Sequence, residues 1–292
     1  MTAGRADAQT LSMGRRGVAA TRLTILILWT LFLIPPHALL MVVGGPYRRS
    51  ARFYWASVCR ILGIKVRVHG VPSRDGPVLY VSNHASYLDI AVLGGIVEAG
   101  FVAKAEVGTW PGINVIAKLG RTVFVERRSG RTVEQRDAIT DRLSSGEGLI
   151  LFPEGTSNDG NRVLPFKSAL FSVAERRIDG RAITVQPVSV AYTKLDGMPI
   201  GLAWRAFFAW YGDMELAPHA WWVMGFGKVN AEIVFHPPVT IEEFASRKTL
   251  SEHCHRLVAR GVAQANAGRV VPAKEPAGGA KAALGHAGTA AA

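Results

Sequence analysis

Between residues 77 and 235, short apolar runs alternate with stretches whose apolar positions recur at helical spacing. The runs that predict buried strands are residues 77–82, 101–104, 122–125, 148–152, 183–191 and 231–235. The stretches that predict helices are residues 87–97, a segment ending at residue 119, and residues 131–144. This alternation predicts an α/β fold with a mixed, largely parallel sheet covered by helices.

The pattern changes toward the C-terminus. Residues 240–243 (TIEE) and 249–252 (TLSE) match the capping box, so they predict the starts of two C-terminal helices. From about residue 271 the chain turns to Ala, Gly and Lys without an apolar face, which predicts a disordered tail over residues 271–292. We therefore expect an N-terminal segment over residues 1–60, an α/β domain over residues 61–270, and the tail.

The longest apolar stretch, residues 23–43, follows a polar arm of residues 1–22. It is just long enough to span a bilayer, but Pro35 and Pro36 interrupt it, and a double proline disrupts helical hydrogen bonding. We therefore predict a kinked helix or a helical hairpin that is embedded in one leaflet of a membrane. A signal peptide is the weaker alternative, because no clear small-residue cleavage site follows.

The formal net charge of +12 is unevenly distributed, since eight arginines and a single acid, Asp7, lie in residues 1–60. Because these charges flank an apolar segment, they indicate an anionic membrane surface rather than nucleic acid, for which no motif is present. A basic surface also favours an acidic protein partner. The two cysteines, Cys59 and Cys254, lack the spacing of a zinc site or a disulfide framework, so no metal is expected.

The first segment with reactive side chains is Asn83-His84-Ala85-Ser86-Tyr87-Leu88-Asp89, directly after the predicted strand 77–82. A His just past a strand end lies at the rim of a cleft, and Asp89, in the first turn of the next helix, can fold back towards it. A carboxylate that accepts the Nδ1 proton fixes the tautomer and leaves Nε2 free to take a proton. The alternative is that Asp89 caps the helix and His84 is an incidental loop residue.

Three further segments lie at or beside predicted strands. Residues 152–156 (FPEGT) follow a buried run; Gly155 allows a tight turn, and Glu154 either binds a polar acceptor or orients the loop, unless this is an ordinary turn. Arg127 follows residues 122–125 and suits an anionic headgroup, although alone it looks like any surface arginine. Residues 185–188 (VQPV) form a strand that shapes a wall rather than reacts.

In this order and spacing, the four segments resemble the signature of the glycerolipid acyltransferase family, whose best-known members acylate lysophosphatidic acid. The resemblance covers about residues 75–190. It implies an O-acyltransferase that needs no cofactor, with His84 and Asp89 as the catalytic pair. It also implies an acyl carrier protein or acyl-CoA as donor, a lysolipid as acceptor, and a place at the inner (cytoplasmic) membrane with the active site facing the cytoplasm.

The same resemblance implies a set of substrate-binding residues around the pair. They are Asn83, Ser86, Lys104, Arg127, Glu154, Gly155, Thr156, Ser157 and Lys167. One position departs from the family: the FPEGT block usually continues with Arg, but Ser157 stands there, and Ser cannot replace a bidentate phosphate contact. The runs FPEGTSNDGNRVLPFKSALF and WYGDMEL resemble bacterial lyso-ornithine lipid O-acyltransferases, whose acceptor has a zwitterionic headgroup. Arg162 offers a substitute guanidinium, so lysophosphatidic acid remains the alternative acceptor.

The expected mechanism has His84 removing the proton of the acceptor hydroxyl, which then attacks the thioester carbonyl. Backbone N–H groups of Asn83 or of the Glu154-Gly155 turn are the expected oxyanion donors. A lipid hydrolase with water as acceptor, and a lipid-binding protein without catalysis, are the rival classes. Four tryptophans, which are Trp204, Trp210, Trp221 and Trp222, suit a membrane interface and a packed core equally well.

Overall fold

The computed structural model of the chain describes residues 11–74, 76–110, 112–125 and 132–270. The helices are α1 (Met13–Val42), α2 (Tyr47–Leu62), α3 (Leu88–Gly94), α4 (Ile113–Leu119), α5 (Thr132–Ser144), α6 (Leu202–Arg205), α7 (Leu216–Met224) and α8 (Arg247–Asn266). The strands are β1 (Ile64–His69), β2 (Val78–Ser82), β3 (Ala99–Lys104), β4 (Val123–Val125), β5 (Gly148–Leu151), β6 (Arg177–Ile178), β7 (Arg181–Ala182), β8 (Thr184–Leu195), β9 (Met198–Pro199) and β10 (Val229–Phe235). Short 3-10 helices cover Ala105–Thr109, Ser168–Glu175 and Ile241–Glu243.

The main sheet has eight strands in the order β1-β10-β8-β2-β5-β3-β4, with β9 paired to β8. Strands β8, β2, β5, β3 and β4 are all parallel to one another. Strand β10 runs antiparallel to β8 and pairs in parallel with β1. The predicted mixed, largely parallel sheet is therefore confirmed, and the carboxyl ends of its parallel strands meet at one edge, where α/β proteins place their binding loops.

Strand β2 shows how helices cover both faces of the sheet. Val78 and Tyr80 pack in a core with α2, α3 and α7, whereas Leu79 and Val81 pack in a second core with α5 and α8. Successive side chains of a strand point to opposite faces, so a strand that is buried on both sides reads as a continuous apolar run. That is why residues 77–82 show no polar alternation.

Helix α1 differs from its prediction. It begins at Met13, inside the predicted polar arm, and it continues through Pro35 and Pro36, so the prediction that they divide the apolar stretch is wrong. The hairpin turn comes later, around Gly44, whose φ of 69° suits glycine. Packing against α2 and the hydrogen bonds of His37 stabilise the C-terminal part of α1, and these contacts offset the backbone bonds that the prolines remove.

The starts of the C-terminal helices also differ from the predicted ones. The N-cap of α8 is Ser246, whose Oγ accepts the N–H of Thr249 at 3.3 Å, so the prediction of a helix start at Thr249 is wrong. Thr240 does form a capping box with Glu243, but it opens only a 3-10 turn. Strand β1 was not predicted from the sequence, and the expected tail over residues 271–292 lies outside the described residues.

Candidate active site

The turn after β2 is fastened to the neighbouring strand by Asn83. Its Nδ2 donates to the Val190 carbonyl oxygen at 2.9 Å, and its Oδ1 accepts the Val190 N–H at 2.8 Å. The side chain therefore continues the ladder between β2 and β8 after the backbone has turned away. Asn83 was predicted to bind substrate, but its buried amide is bonded to β8, which favours a role in fixing where His84 leaves the sheet.

His84 and Asp89 are in contact, as predicted. The Nδ1 atom of His84 lies 2.9 Å from Oδ2 of Asp89, and the same oxygen accepts the backbone N–H groups of Ala85 at 2.8 Å and Ser86 at 2.9 Å. Asp89 is fully buried in the first turn of α3. Because a carboxylate only accepts, the proton of the neutral imidazole is assigned to Nδ1, and the Nε2 lone pair is left to accept a proton.

The imidazole ring is held from the side as well. It stacks on Phe152 with a ring-centroid distance of 4.1 Å and an interplanar angle of 18°, and Phe152 in turn stacks on Phe101. The His84 side chain is 21% exposed, and within the described residues its Nε2 makes no hydrogen bond. The ring is thus fixed in direction while its basic nitrogen remains open to a reacting molecule.

Glu154 braces the same turn from the end of β5. Its Oε1 accepts the His84 backbone N–H at 2.8 Å, and its Oε2 accepts Asn158 Nδ2 at 2.6 Å and the Leu164 N–H at 2.8 Å. Burial raises the pKa of Glu154 to about 7, although these hydrogen bonds act in the opposite direction. The sequence left open whether Glu154 binds an acceptor or orients the loop, and three internal donors favour the second role.

The remainder of the FPEGT segment forms a tight turn beside the imidazole. Gly155 has a φ of 69°, and a Cβ at this position would lie 2.8 Å from Nζ of Lys167. Its N–H donates to the Phe152 carbonyl oxygen at 3.0 Å, so this expected oxyanion donor is engaged within the turn. Thr156 and Lys167 are exposed and Ser157 is half-buried, which makes these three the polar rim beside His84.

The other predicted substrate residues are placed differently. Lys104 ends β3 at the same edge of the sheet and forms an exposed ion pair with Glu106 at 2.8 Å. Ser86 is fully buried and its Oγ has no hydrogen-bond partner in the described part of the chain, so a direct contact with substrate is not accessible to it. Arg127 lies outside the described residues.

Two contacts at the turn were missed by sequence reasoning. The hydroxyl of Tyr192 on β8 donates to Oδ1 of Asp89 at 2.7 Å, and the backbone N–H of Trp210 donates to the Ala85 carbonyl oxygen at 2.8 Å. No sequence signal indicated either contact, because Tyr192 lies just beyond the predicted strand of residues 183–191 and both contacts join distant parts of the chain. The tryptophans fulfil both expectations: Trp222 stacks on Phe207 and packs against the core, whereas Trp204 is 48% exposed.

An imidazole in this arrangement can take a proton from a hydroxyl group or from water. The described residues contain no group of three or more His, Cys, Asp or Glu side chains that could hold a metal ion. The α/β fold and a base held in this way fit an enzyme that transfers a group either to a hydroxyl or to water, that is, a transferase or a hydrolase.

The chain belongs to the Acyltransferase family, whose model matches residues 65–191, and it is an acyltransferase. It is 40% identical to the lyso-ornithine lipid O-acyltransferase of Brucella abortus over 83% of this chain and 93% of that protein. It is 31% identical to the 1-acyl-sn-glycerol-3-phosphate acyltransferase of Neisseria gonorrhoeae over 60% of this chain and 64% of that protein. The crystal structure of the 1-acyl-sn-glycerophosphate (LPA) acyltransferase from Thermotoga maritima matches with a TM-score of 0.59 and 23% identity, covering 85% and 93% of the two chains, which shows the fold.

Proposed function

We propose that this acyltransferase moves a fatty acyl group from the thioester of an acyl carrier protein or coenzyme A to the hydroxyl of lyso-ornithine lipid. The observation that carries the reaction is the His84–Asp89 contact of 2.9 Å with Nε2 open. Two observations support the acceptor. They are the similarity to a lyso-ornithine lipid O-acyltransferase over nearly its whole length, and Ser157 at a position where the glycerolipid family usually has Arg.

In the proposed reaction, Nε2 of His84 takes the proton from the acceptor hydroxyl as its oxygen attacks the thioester carbonyl. The new C–O bond forms, the C–S bond breaks, and the proton passes from the imidazolium to the departing thiolate. Asp89 stabilises the imidazolium while the positive charge is present. General-base assistance of this kind contributes about 10²–10⁴-fold to the rate.

The rim beside His84 supports a headgroup without a phosphate monoester. Ser157 is neutral, so it supplies no guanidinium at the position where the glycerolipid family usually has Arg. Lys167 can meet a single carboxylate, such as that of an amino-acid headgroup, as a point charge. Lysophosphatidic acid is the second candidate, because Arg162 is exposed on the same loop and offers a guanidinium.

The test offers purified full-length protein lyso-ornithine lipid and lysophosphatidic acid side by side, each with acyl carrier thioester and with acyl-CoA. Lipid analysis should show that lyso-ornithine lipid gains the chain, and the two donor arms identify the carrier. The matched variant is Ser157→Arg, which should raise the use of lysophosphatidic acid relative to lyso-ornithine lipid. Equal or better acylation of lysophosphatidic acid by the wild type would overturn the proposed acceptor.

The same assay without any lysolipid separates the rival classes. A hydrolase would release free fatty acid from the thioester at a rate comparable to that of transfer, and a lipid-binding protein would give neither product. For an acyltransferase we expect the release of fatty acid to stay far below the rate of transfer. His84→Ala serves as the background control in every arm.

We also propose that α1 lies in one leaflet of the inner membrane. It is the one described helix that is long and apolar enough to span a membrane, with a mean hydropathy of 2.2. However, its contacts with the α/β domain are spread along its length: Arg22 donates to the Phe226 carbonyl oxygen at 2.6 Å, and His37 Nε2 lies 3.1 Å from the Leu119 carbonyl oxygen. These contacts lie about 22 Å apart along a helix with 1.5 Å rise per residue, so α1 lies along the domain.

The face of α1 that points away from the domain is apolar. Leu28, Leu31 and Phe32 are each more than 60% exposed. Both proposed donors are cytoplasmic carriers, which supports an active site that faces the cytoplasm. In flotation with anionic vesicles, Leu31→Glu should weaken binding strongly, whereas Met198→Glu, at a position on β9 that is even more exposed, should not. Equal loss in both variants would contradict the assignment of this face.

A further inference from the structure

A tyrosine outside the family segments completes the hydrogen bonding of the buried carboxylate. Oδ2 of Asp89 already accepts three N–H groups from the His84 turn, whereas Oδ1 accepts the hydroxyl of Tyr192 at 2.7 Å. Asp89 is 0% exposed and Tyr192 is 2% exposed, so water does not compete for this bond. Without the tyrosine hydroxyl, one oxygen of a buried anion would lack a donor, which is costly.

Strand β8 holds both ends of the turn. Its residue Val190 bonds the side chain of Asn83 where the chain leaves β2, and Tyr192, two positions further on, bonds Asp89 where α3 begins. Residues 190 and 192 of a strand lie on the same side of the sheet, and both belong to the core that faces α3. The turn with His84 is therefore held at its start and at its end by one central strand.

We propose that Tyr192 is a positioning residue, whose hydroxyl fixes the carboxylate plane of Asp89 so that Oδ2 stays directed at Nδ1 of His84. The proposal rests on the proposed role of His84 as the base. Rotation of the carboxylate would otherwise exchange its two oxygens and disturb the bond that orients the imidazole. Burial and the nearby negative charge of Asp89 raise the pKa of the Tyr192 phenol, so it stays protonated and continues to donate.

The chain offers a matched control in Tyr80 on the adjacent strand β2. Its ring is also buried in the same core and its hydroxyl also makes a bond of 2.7 Å, but that bond is to the Ser73 carbonyl oxygen, away from the dyad. Tyr→Phe at either position removes one hydroxyl and keeps the ring. Any loss that comes from general packing should therefore appear in both variants, and a loss of positioning should appear only at residue 192.

The experiment measures kcat and KM of acyl transfer for Y192F and Y80F, per folded molecule. We expect Y192F to lower kcat on the order of tenfold, since a hydrogen bond to a charged group is lost, with KM for the lysolipid little changed. Y80F should keep the wild-type kcat. A wild-type kcat in Y192F, or an equal loss in both variants, would overturn the proposal.

A spectroscopic readout separates positioning from stability. In protein labelled with ¹⁵N-histidine, the Nδ1–H resonance of His84 is assigned by its absence in His84→Ala. It should shift or broaden in Y192F and stay in place in Y80F; an unmoved resonance in Y192F would also overturn the proposal. If His84→Ala itself retained wild-type turnover, the proposed function would fail, whereas an inactive His84→Ala with a fully active Y192F removes only the role of Tyr192.

Discussion

Strand β5 has a buried glutamate before its first residue and another beyond its last, and the two are satisfied in different ways. Glu147 meets three guanidinium groups, from Arg48 at 3.7 Å, Arg121 at 2.8 Å and Arg142 at 3.3 Å. Glu154 meets only uncharged donors, including the backbone N–H of His84. The first site joins α2 and α5 to the sheet, and the second braces the turn with the imidazole.

The difference has an electrostatic consequence. A guanidinium next to His84 would disfavour the imidazolium that forms when the base takes a proton. Neutral donors hold Glu154 in place without adding a positive charge there, and burial can then raise its pKa to about 7. Glu147 lies at the opposite edge of the sheet, away from His84, so arginines can stabilise it without disfavouring the imidazolium. Changes at the Glu154 end should therefore affect catalysis, whereas changes at the Glu147 end should affect stability alone.

The largest expected effect is on catalysis at the carboxyl end of β2. His84→Ala should lower kcat by about 10²–10⁴-fold, because the general base is lost while most of the fold is untouched. Acyl transfer to the lysolipid and thermal unfolding in detergent are measured on the same samples. Retained turnover, or unfolding in place of inactivation, would contradict the assignment of this edge to chemistry.

Glu154→Gln should affect both activity and stability. A glutamine offers one acceptor where three donors converge, so at least one donor is left unpaired, at a cost of about 1–3 kcal/mol. The release of the His84 backbone should also lower kcat, on the order of tenfold if one charge-assisted hydrogen bond is lost. Both quantities are measured against wild type at a fixed pH. A fully active and fully stable variant would show that Glu154 does not brace the turn.

The pH dependence of stability gives a sharper test of Glu154. Its folded pKa of about 7 lies above the ordinary value of 4.5, so the folded state holds the proton more tightly than the unfolded state. This contribution to stability is present below the ordinary pKa and is lost as the pH rises through about 7. The difference in thermal midpoint between the wild type and Glu154→Gln should fall from pH 5 to about 7.5, because glutamine does not titrate, whereas His219 and His236, whose pKa values are lowered by burial, titrate in both proteins. If the thermal midpoints of the wild type and Glu154→Gln changed with pH in parallel, the raised pKa of Glu154 would be contradicted.

Glu147→Gln is the matched change at the other end of β5. It leaves three guanidinium groups around a neutral amide, so the free energy of unfolding should fall by about 1–3 kcal/mol. Glu147 contacts neither His84 nor the 152–157 turn, so kcat per folded molecule should stay near the wild-type value. A loss of kcat equal to that of Glu154→Gln would remove the functional distinction between the two ends.

The sequence alone was sufficient to predict those parts of the fold and of the site that depend on local contacts. Asp89 follows His84 by five positions, and a strand end followed by a helix start places two such side chains near each other within one short segment. The apolar runs predicted the strands because burial on both faces leaves a continuous signal. The FPEGT segment was located in the same way, at the end of a buried strand.

Contacts between distant parts of the chain could not be predicted in this way. Tyr192 is separated from Asp89 by 103 positions, and no periodicity indicates that β8 lies beside β2. The sequence could not decide whether Glu154 binds substrate or orients the loop, because its three donors become neighbours only after folding. The course of α1 through Pro35 and Pro36 also depends on its contacts with α2 and with Leu119, which local propensity does not contain.

The smallest expected effect concerns one of the three arginines at Glu147. Arg48→Gln removes the longest of the three contacts, 3.7 Å, from a side chain that is 36% exposed, so solvent already screens much of the interaction. We expect a loss of less than about 1 kcal/mol, because Arg121 and Arg142 remain paired with Glu147. Chemical unfolding of the wild type and the variant measures this loss in the free energy of unfolding. A loss as large as that of Glu147→Gln would mean that the cluster acts as one unit through Arg48, and that α2 is held to the sheet mainly by this pair.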